Sequence, residues 1–212
     1  MKSSLAYRVS AWNRWRKWRL FNELIRPGPD TTVLDVGFQG DEYSMTDNFI
    51  EKHYPYPGKL TALGVDEPEQ FRRRYPEIKA IHYGGGVFPF GDREFDVCWS
   101  NAVLEHVGSR AEQLLFVREI RRVAKHGFFT TPNRRFPVEV HTRTPFLHFL
   151  PTSWFEAYLR TVGKEWATGP YMRLLTGGEL TSLLREAGFK RGEFRIIRHR
   201  LVGFTMEFIV VF

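Results

Sequence analysis

Short apolar runs alternate with stretches of helical period along most of this chain. Runs at 31–37 (Val33, Leu34, Val36), 59–66 (Leu60 to Asp66), 78–83, 95–102 (Phe95-Asp-Val-Cys-Trp-Ser) and 127–131 (Gly-Phe-Phe-Thr-Thr) have the length and composition of buried strands. Between the last two, Ser109 and Glu112 match a capping box, and Leu114, Val117, Ile120 and Ala124 follow at helical spacing until Gly127. A second box, Thr176 with Glu179, opens a helix through Leu180, Leu183, Leu184 and Ala187 that Gly188 stops. Two β-rich segments, Phe194 to Val202 and Thr205 to Phe212, meet through Gly203-Phe204 and predict a closing hairpin. Strand and helix signals in alternation predict an α/β chain built on a parallel sheet.

Two regions break the pattern. Between Pro132 and Leu175, prolines, aromatic clusters and histidines occur without a clean period, as in an insertion that covers a site. At the N-terminus, Leu5, Val9 and Trp12 share one helical face while Trp18, Phe21 and Ile25 share roughly the opposite one. Two short helices on the sheet, one helix gripped on both sides, or a basic interfacial helix carrying Arg14, Arg16, Lys17 and Arg19 would each produce that layout. The expected organisation is one domain over 1–212, with a helical segment at 1–28 and an acceptor-side insertion at 133–175.

Bulk properties narrow the classes. With 212 residues, 42% of them hydrophobic and 16% aromatic, the chain can bury a core and is not a disordered segment. A net charge of +7 makes anionic partners plausible, whether a phosphorylated substrate, an acidic membrane surface or nucleic acid. Cys98 is the single cysteine, so no internal disulfide forms, and its apolar setting points to a buried strand position. Neither a membrane-length apolar run nor a signal-peptide core is present, and a cytoplasmic location is the expectation.

The most informative stretch is Thr32-Val-Leu-Asp-Val-Gly-Phe-Gln-Gly. Here a buried strand runs into a glycine turn that lets a nucleotide-like ligand approach the backbone. Asp35 precedes the first glycine, which separates this order from the dinucleotide fingerprint G-x-G-x-x-G. Asp35-x-Gly37 resembles motif I of class I S-adenosylmethionine (SAM) dependent methyltransferases. Pro89-Phe90, Phe95-Asp96-Val97 and above all Asn101-Ala-Val-Leu-Glu-His-Val resemble the type 11 subgroup. The resemblance spans about 30 to 132 and, more loosely, 176 to 212. It departs at Gln39, where the family usually has glycine, and at Gly84 to Gly86, where it often has an acid for the adenine.

The resemblance implies a Rossmann-like doubly wound sheet, mostly parallel with an antiparallel last strand, SAM as cofactor and S-adenosylhomocysteine as product. Cofactor contacts are then expected from Asp35, Gly37, Phe38 and Gly40, from Asp66 or its neighbour Glu67, from Gly84 and Gly85, and from Asn101 and Glu105. Asp66 is placed for the ribose hydroxyls, although a helix N-cap before Pro68 would equally suit an aspartate. Transfer to oxygen needs a base, for which His106 and His141 have the right side chain; a core, capping or ordinary loop histidine is the plain alternative. Arg134, Arg135 and Arg143 could clamp an anionic acceptor, with Trp154 and Tyr171 as further acceptor-side residues, or they could form a solvated face. No carboxylate and histidine pattern with ligand spacing appears, and no metal is expected.

A methyltransferase for a small-molecule or lipid- or glycan-linked acceptor, acting at oxygen, is the leading expectation. Peripheral membrane contact through the N-terminal segment is compatible with it. An RNA or DNA methyltransferase fits the charge, but no [DN]-P-P-[YF] motif follows the fourth strand. A non-catalytic binding module on a degenerate methyltransferase fold would account for Gln39 and the missing third-loop acid.

Overall fold

The computed structural model describes residues 5–169 and 172–212. In chain order the elements are α1 (Leu5–Ile25), β1 (Val33–Val36), α2 (Phe49–His53), β2 (Leu60–Gly64), α3 (Glu69–Arg74), β3 (Lys79–His82), β4 (Phe95–Asn101), α4 (Arg110–Val123) and β5 (Ala124–Pro132). There follow β6 (Val138–Glu139), β7 (Thr144–Pro145), α5 (Thr152–Thr161), α6 (Gly177–Glu186), β8 (Arg195–Leu201) and β9 (Phe204–Val211). Seven strands form one sheet in the order β3-β2-β1-β4-β5-β9-β8, and β6 pairs with β7 separately. β1 runs parallel to β2 and β4, and β2 parallel to β3. β9 pairs antiparallel with β8 and lies between β5 and β8, as the hairpin signal and the methyltransferase resemblance predict. The class is a Rossmann-like α/β fold, the one that the resemblance implies.

The chain divides into two compact units, residues 1–100 with 120–128 and residues 101–119 with 129–212. In the first, the apolar runs become strands because both faces are covered: Val33, Leu34, Val36, Leu60, Ala62, Leu63, Val97 and Cys98 are all buried. β1 and β4 are also tied at their starts, where Asp96 accepts hydrogen bonds from Thr32 N and Thr32 Oγ1, both at 2.9 Å. α1 is one continuous helix rather than two. It packs Trp18 and Phe21 on Trp99 and leaves Trp12 52% exposed beneath the Arg16 guanidinium.

In the second unit both capping boxes form. Ser109 and Glu112 exchange backbone and side-chain bonds ahead of α4, and Thr176 and Glu179 do the same at α6. α4 ends at Val123 and the chain enters β5 directly, four residues before the glycine that the periodicity marks. The insertion carries structure that its sequence conceals, the β6–β7 pair and α5. The helix escapes a periodicity search because Leu159 is its single fully buried side chain among those described.

Candidate functional site

In the first unit the turn after β1 is bound to the exit of β2. Gly37 has φ 112°, a conformation that disfavours side chains, and its amide donates to Leu63 O. Gly40 N donates to Asp66 Oδ2 at 3.0 Å, and a Cβ on Gly40 would stand 2.6 Å from Glu67 O. Asp66 is therefore no N-cap: Pro68 holds that position at α3, and the aspartate is exposed with Oδ2 turned to the glycine turn. Asn48 latches the far side, accepting from Gln39 N at 2.8 Å and donating to Gln39 O at 2.9 Å from a left-handed backbone (φ 45°). Gln39, the departure from the family motif, thus has a partner that no motif indicates. Glu42 anchors the following loop to Lys52 at 2.9 Å and to the Tyr75 hydroxyl; burial opposes its ionisation, but these donors and Asn48 hold its carboxyl below the usual range.

Two expected cofactor residues in this unit are turned elsewhere. Phe38 is 3% exposed, its ring tilted on Phe71 and close against Gly64, so it is a core side chain that leaves only its backbone to the turn. Asp35 is 5% exposed and faces Glu51, itself buried on α2. Burial, then the charge of Glu51 and a hydrogen bond with it, push the Asp35 carboxyl well up. Asp35 is thus turned into the interior beside a second carboxyl, so it is not the ligand-facing anion expected of motif I. Glu67, Gly84 and Gly85 are exposed in loops beyond β2 and β3, and a Cβ at Gly84 would meet nothing.

In the second unit, residues 35 apart in sequence form a compact corner. His106 Nε2 lies 3.1 Å from His141 Nε2 with the rings nearly perpendicular. Glu105 precedes the first ring and is fully buried; its Oε2 accepts from Thr131 Oγ1 at 3.0 Å, and its Oε1 has no hydrogen-bond partner and lies 3.7 Å from His141 Nε2. Burial raises the Glu105 carboxyl to about 7 against the opposing pull of His141. Glu139 holds the second ring: it accepts from His141 N at 3.0 Å, His141 Nδ1 at 2.9 Å, and Thr142 N and Oγ1 at 2.6 Å each. Burial resists, yet these donors pull Glu139 down to about 2. For His141, burial disfavours the charged ring, but the Glu139 bond and the charges of Glu105 and Glu139 outweigh it and raise its pKa.

Glu105 therefore stands with the histidines rather than in the cofactor contacts assigned to it, and Glu139 is a site residue that the sequence reading missed. Glu105, His106 and His141 also present ligand atoms all within 4.8 Å of one another, a spatial grouping that the sequence reading did not anticipate. Spacing along the chain could not reveal a grouping closed by a 35-residue loop. Asn101 accepts from Thr130 Oγ1 at 3.2 Å and leaves a buried Nδ2 without a partner. Arg134 is drawn into an ion pair with Glu179 at 3.1 Å, away from the role of a free clamp. Arg143 is exposed at φ 55°, and Trp154 is 68% exposed on α5. Tyr171 lies outside the described residues.

Comparison with known proteins agrees with this architecture. The type 11 family model, described as a methyltransferase domain, matches residues 58–129. A malonyl-acyl-carrier-protein O-methyltransferase of Erwinia pyrifoliae is 32% identical over 107 residues, which cover 50% of this chain and 37% of that protein. The chain thus spans well under two thirds of that curated relative. Among solved structures, a SAM-dependent methyltransferase from Mesorhizobium loti superposes with a TM-score of 0.59 at 14% identity, covering 94% of this chain and 96% of the other. The 4+2 cyclase SpnF gives 0.56 at 16% identity, covering 87% and 60%. A shared fold at such identities shows architecture and leaves chemistry to the site. The match over the central strands, under half of the chain, together with the sheet order and the signature at 101–107, makes this segment similar to the type 11 methyltransferase domain, and the superpositions show the shared fold.

Proposed function

We propose that this protein is a SAM-dependent methyltransferase that methylates an oxygen atom of a small-molecule or lipid- or glycan-linked acceptor. The observation that carries the cofactor half is the bond from Gly40 N to one Asp66 oxygen, with the glycine turn too close to Glu67 for any Cβ. That arrangement fits the cofactor. The turn admits a ligand against bare backbone, and the exposed carboxylate is free to accept from a ribose diol through Oδ1. Gly37, Gly40, Asp66 and Glu67 are the residues assigned to hold it, and Gly84, Gly85 and Asn101 are assigned as further contacts. Bound SAM supplies an activated methyl on a sulfonium, so the protein's task is alignment and removal of the acceptor's proton.

His141 is suited to that second task. Glu139 receives its Nδ1–H and fixes the ring, which makes Nε2, now paired with His106 Nε2 at 3.1 Å, the basic atom; an acceptor hydroxyl would replace His106 as its donor. The curated relative's O-methyltransferase activity supports oxygen as the acceptor atom. Arg143 is the cation assigned to an anionic acceptor group. Trp154 is exposed within the insertion, and Trp12 and Trp15 are exposed on α1, surfaces compatible with a lipid-linked substrate.

Calorimetry with S-adenosylhomocysteine tests the cofactor half. Asp66→Ala should lose about 1.5 to 3 kcal/mol of binding with the fold intact; an unchanged affinity, or no heat from the parent protein at millimolar ligand, sinks it. On the acceptor side, Arg143→Ala and His141→Ala should lower turnover while the affinity for S-adenosylhomocysteine stays level.

A further inference from the structure

We infer that Glu105, His106 and His141 bind a divalent transition-metal ion of the zinc class, with Glu139 as the outer carboxylate that orients His141. Three features of the corner converge on this. The two Nε2 atoms approach to 3.1 Å, close to the spacing of roughly 3.4 Å that two nitrogens adopt on one tetrahedral zinc at bonds of about 2.1 Å. Glu105 is 0% exposed and keeps Oε1 without any hydrogen-bond partner, 3.7 Å from His141 Nε2. Burying an anion-capable oxygen with no donor is costly, and a cation at that point removes the cost. Finally, Glu139 takes the Nδ1–H of His141 at 2.9 Å, the carboxylate–histidine arrangement that makes the other ring nitrogen a ligand of fixed direction.

A plain hydrogen bond between the rings would account for the first feature. It leaves the Glu105 oxygen unexplained. Two imidazoles and one carboxylate suit zinc, iron, cobalt or nickel, whereas magnesium and calcium take shells dominated by oxygen. The widest pair of ligand atoms is within 4.8 Å, against a limit of roughly 4.2 Å for two ligands opposite each other on an ion with such bonds. At the tetrahedral spacing of about 3.4 Å, uptake therefore requires a movement that closes the widest pair by up to about 1.4 Å. The His106 ring can supply it, because it sits on the exposed side while Glu105 is fixed within the fold. Three protein ligands leave a position open toward that side, as in catalytic rather than structural metal sites.

The inference goes beyond the methyltransferase reading and does not rest on it. In the loaded site His141 Nε2 is a ligand and no longer a base. An acceptor hydroxyl bound at the open position would instead lose its proton to solvent water, acidified by the ion, and attack as the bound alkoxide.

The test uses the untagged protein stripped with a chelator. Titration with zinc, followed by calorimetry and by metal content after desalting, should give one equivalent per chain, and cobalt should give the visible absorption of a low-symmetry site. His106→Gln, on the exposed side, should weaken zinc at least tenfold without unfolding, and Glu139→Gln should weaken it about 10- to 100-fold through His141. Glu105→Gln should abolish it; circular dichroism shows whether that variant folds, and His106→Gln decides the matter if it does not. Substoichiometric zinc, or unchanged affinity in His106→Gln, overturns the inference. S-adenosylhomocysteine titrated into the same stripped protein separates the two readings: heat from the cofactor product without zinc binding removes the metal alone, and the reverse removes the cofactor alone.

Discussion

The glycine-turn region of residues 33–66 and the histidine corner of residues 101–144 both bury carboxylates, and they treat them in opposite ways. Glu139 receives four donors, two from backbone amides and two from side chains, and is held as an anion at about 2. Asp35 and Glu51 face each other in the interior, and both are pushed upward, chiefly by burial. The first arrangement locks a charge in place to aim a histidine. The second sets two acids side by side away from solvent, where burial and the neighbouring charge disfavour ionisation. Depth of burial alone does not set the ionisation of an acid here; the donors that the local backbone turns toward it do.

The largest expected effect comes from removing the anion that has the most donors. Glu139→Ala should destabilise the fold by about 3 kcal/mol, since the amides of His141 and Thr142 and the Thr142 hydroxyl lose their acceptor together. Urea denaturation at neutral pH measures it. The pH dependence has a definite sign. The folded pKa of Glu139 is depressed, so its contribution is fully present above the ordinary carboxylate range and disappears as pH falls through that range toward about 2. The difference between parent and variant should shrink over that window. A constant difference would mean that lost packing, and not the charge, is what Glu139 contributes.

Next in size is Gly40→Ala. Its Cβ would stand 2.6 Å from the carbonyl of Glu67, which is backbone and cannot swing aside as a flexible side chain does. We expect a loss of about 2 kcal/mol in stability, together with weaker binding of S-adenosylhomocysteine because the bond to Asp66 is displaced. Thermal unfolding and calorimetry read the two separately. A stable variant with parental affinity would show that the turn has more room than its contacts indicate.

How much of each region can be read in the sequence follows the same division. The strands and both capping boxes are legible because they depend on neighbours within a few residues: buried runs such as Val33 to Val36, and the pairs Ser109 with Glu112 and Thr176 with Glu179. Phe38 misleads because a residue between two motif glycines looks available to a ligand, while in space it fills the gap between Gly64 and Phe71. Asn48 is silent in sequence, since its value lies in a left-handed backbone that returns its amide to Gln39. The histidine corner was half legible: His106 and His141 stand out singly, but their meeting and the part played by Glu139 depend on a chain reversal at β6 and β7 that two-residue strands do not announce.

The smallest expected effect sharpens the comparison most, because it has the opposite sign. Glu51→Gln should stabilise the protein above the ordinary carboxylate range by about 1 kcal/mol, a few degrees in Tm for a chain of this size. Its side-chain amide can donate to Asp35, and the charge of Glu51 no longer opposes the ionisation of Asp35, leaving burial as the opposing cause. The linkage runs against that of Glu139. With folded pKa values raised, the native state holds protons that the unfolded chain has already released, so parental stability declines as pH rises from the ordinary carboxylate value through the folded ones. The variant should lose the part of that decline that Glu51 causes, its own titration and its charge on Asp35, and the two unfolding curves should separate progressively from mildly acidic to alkaline pH. Parallel curves across that range would mean that the pair is already relieved, with Arg14, whose charge pulls Asp35 downward, as the group to examine next.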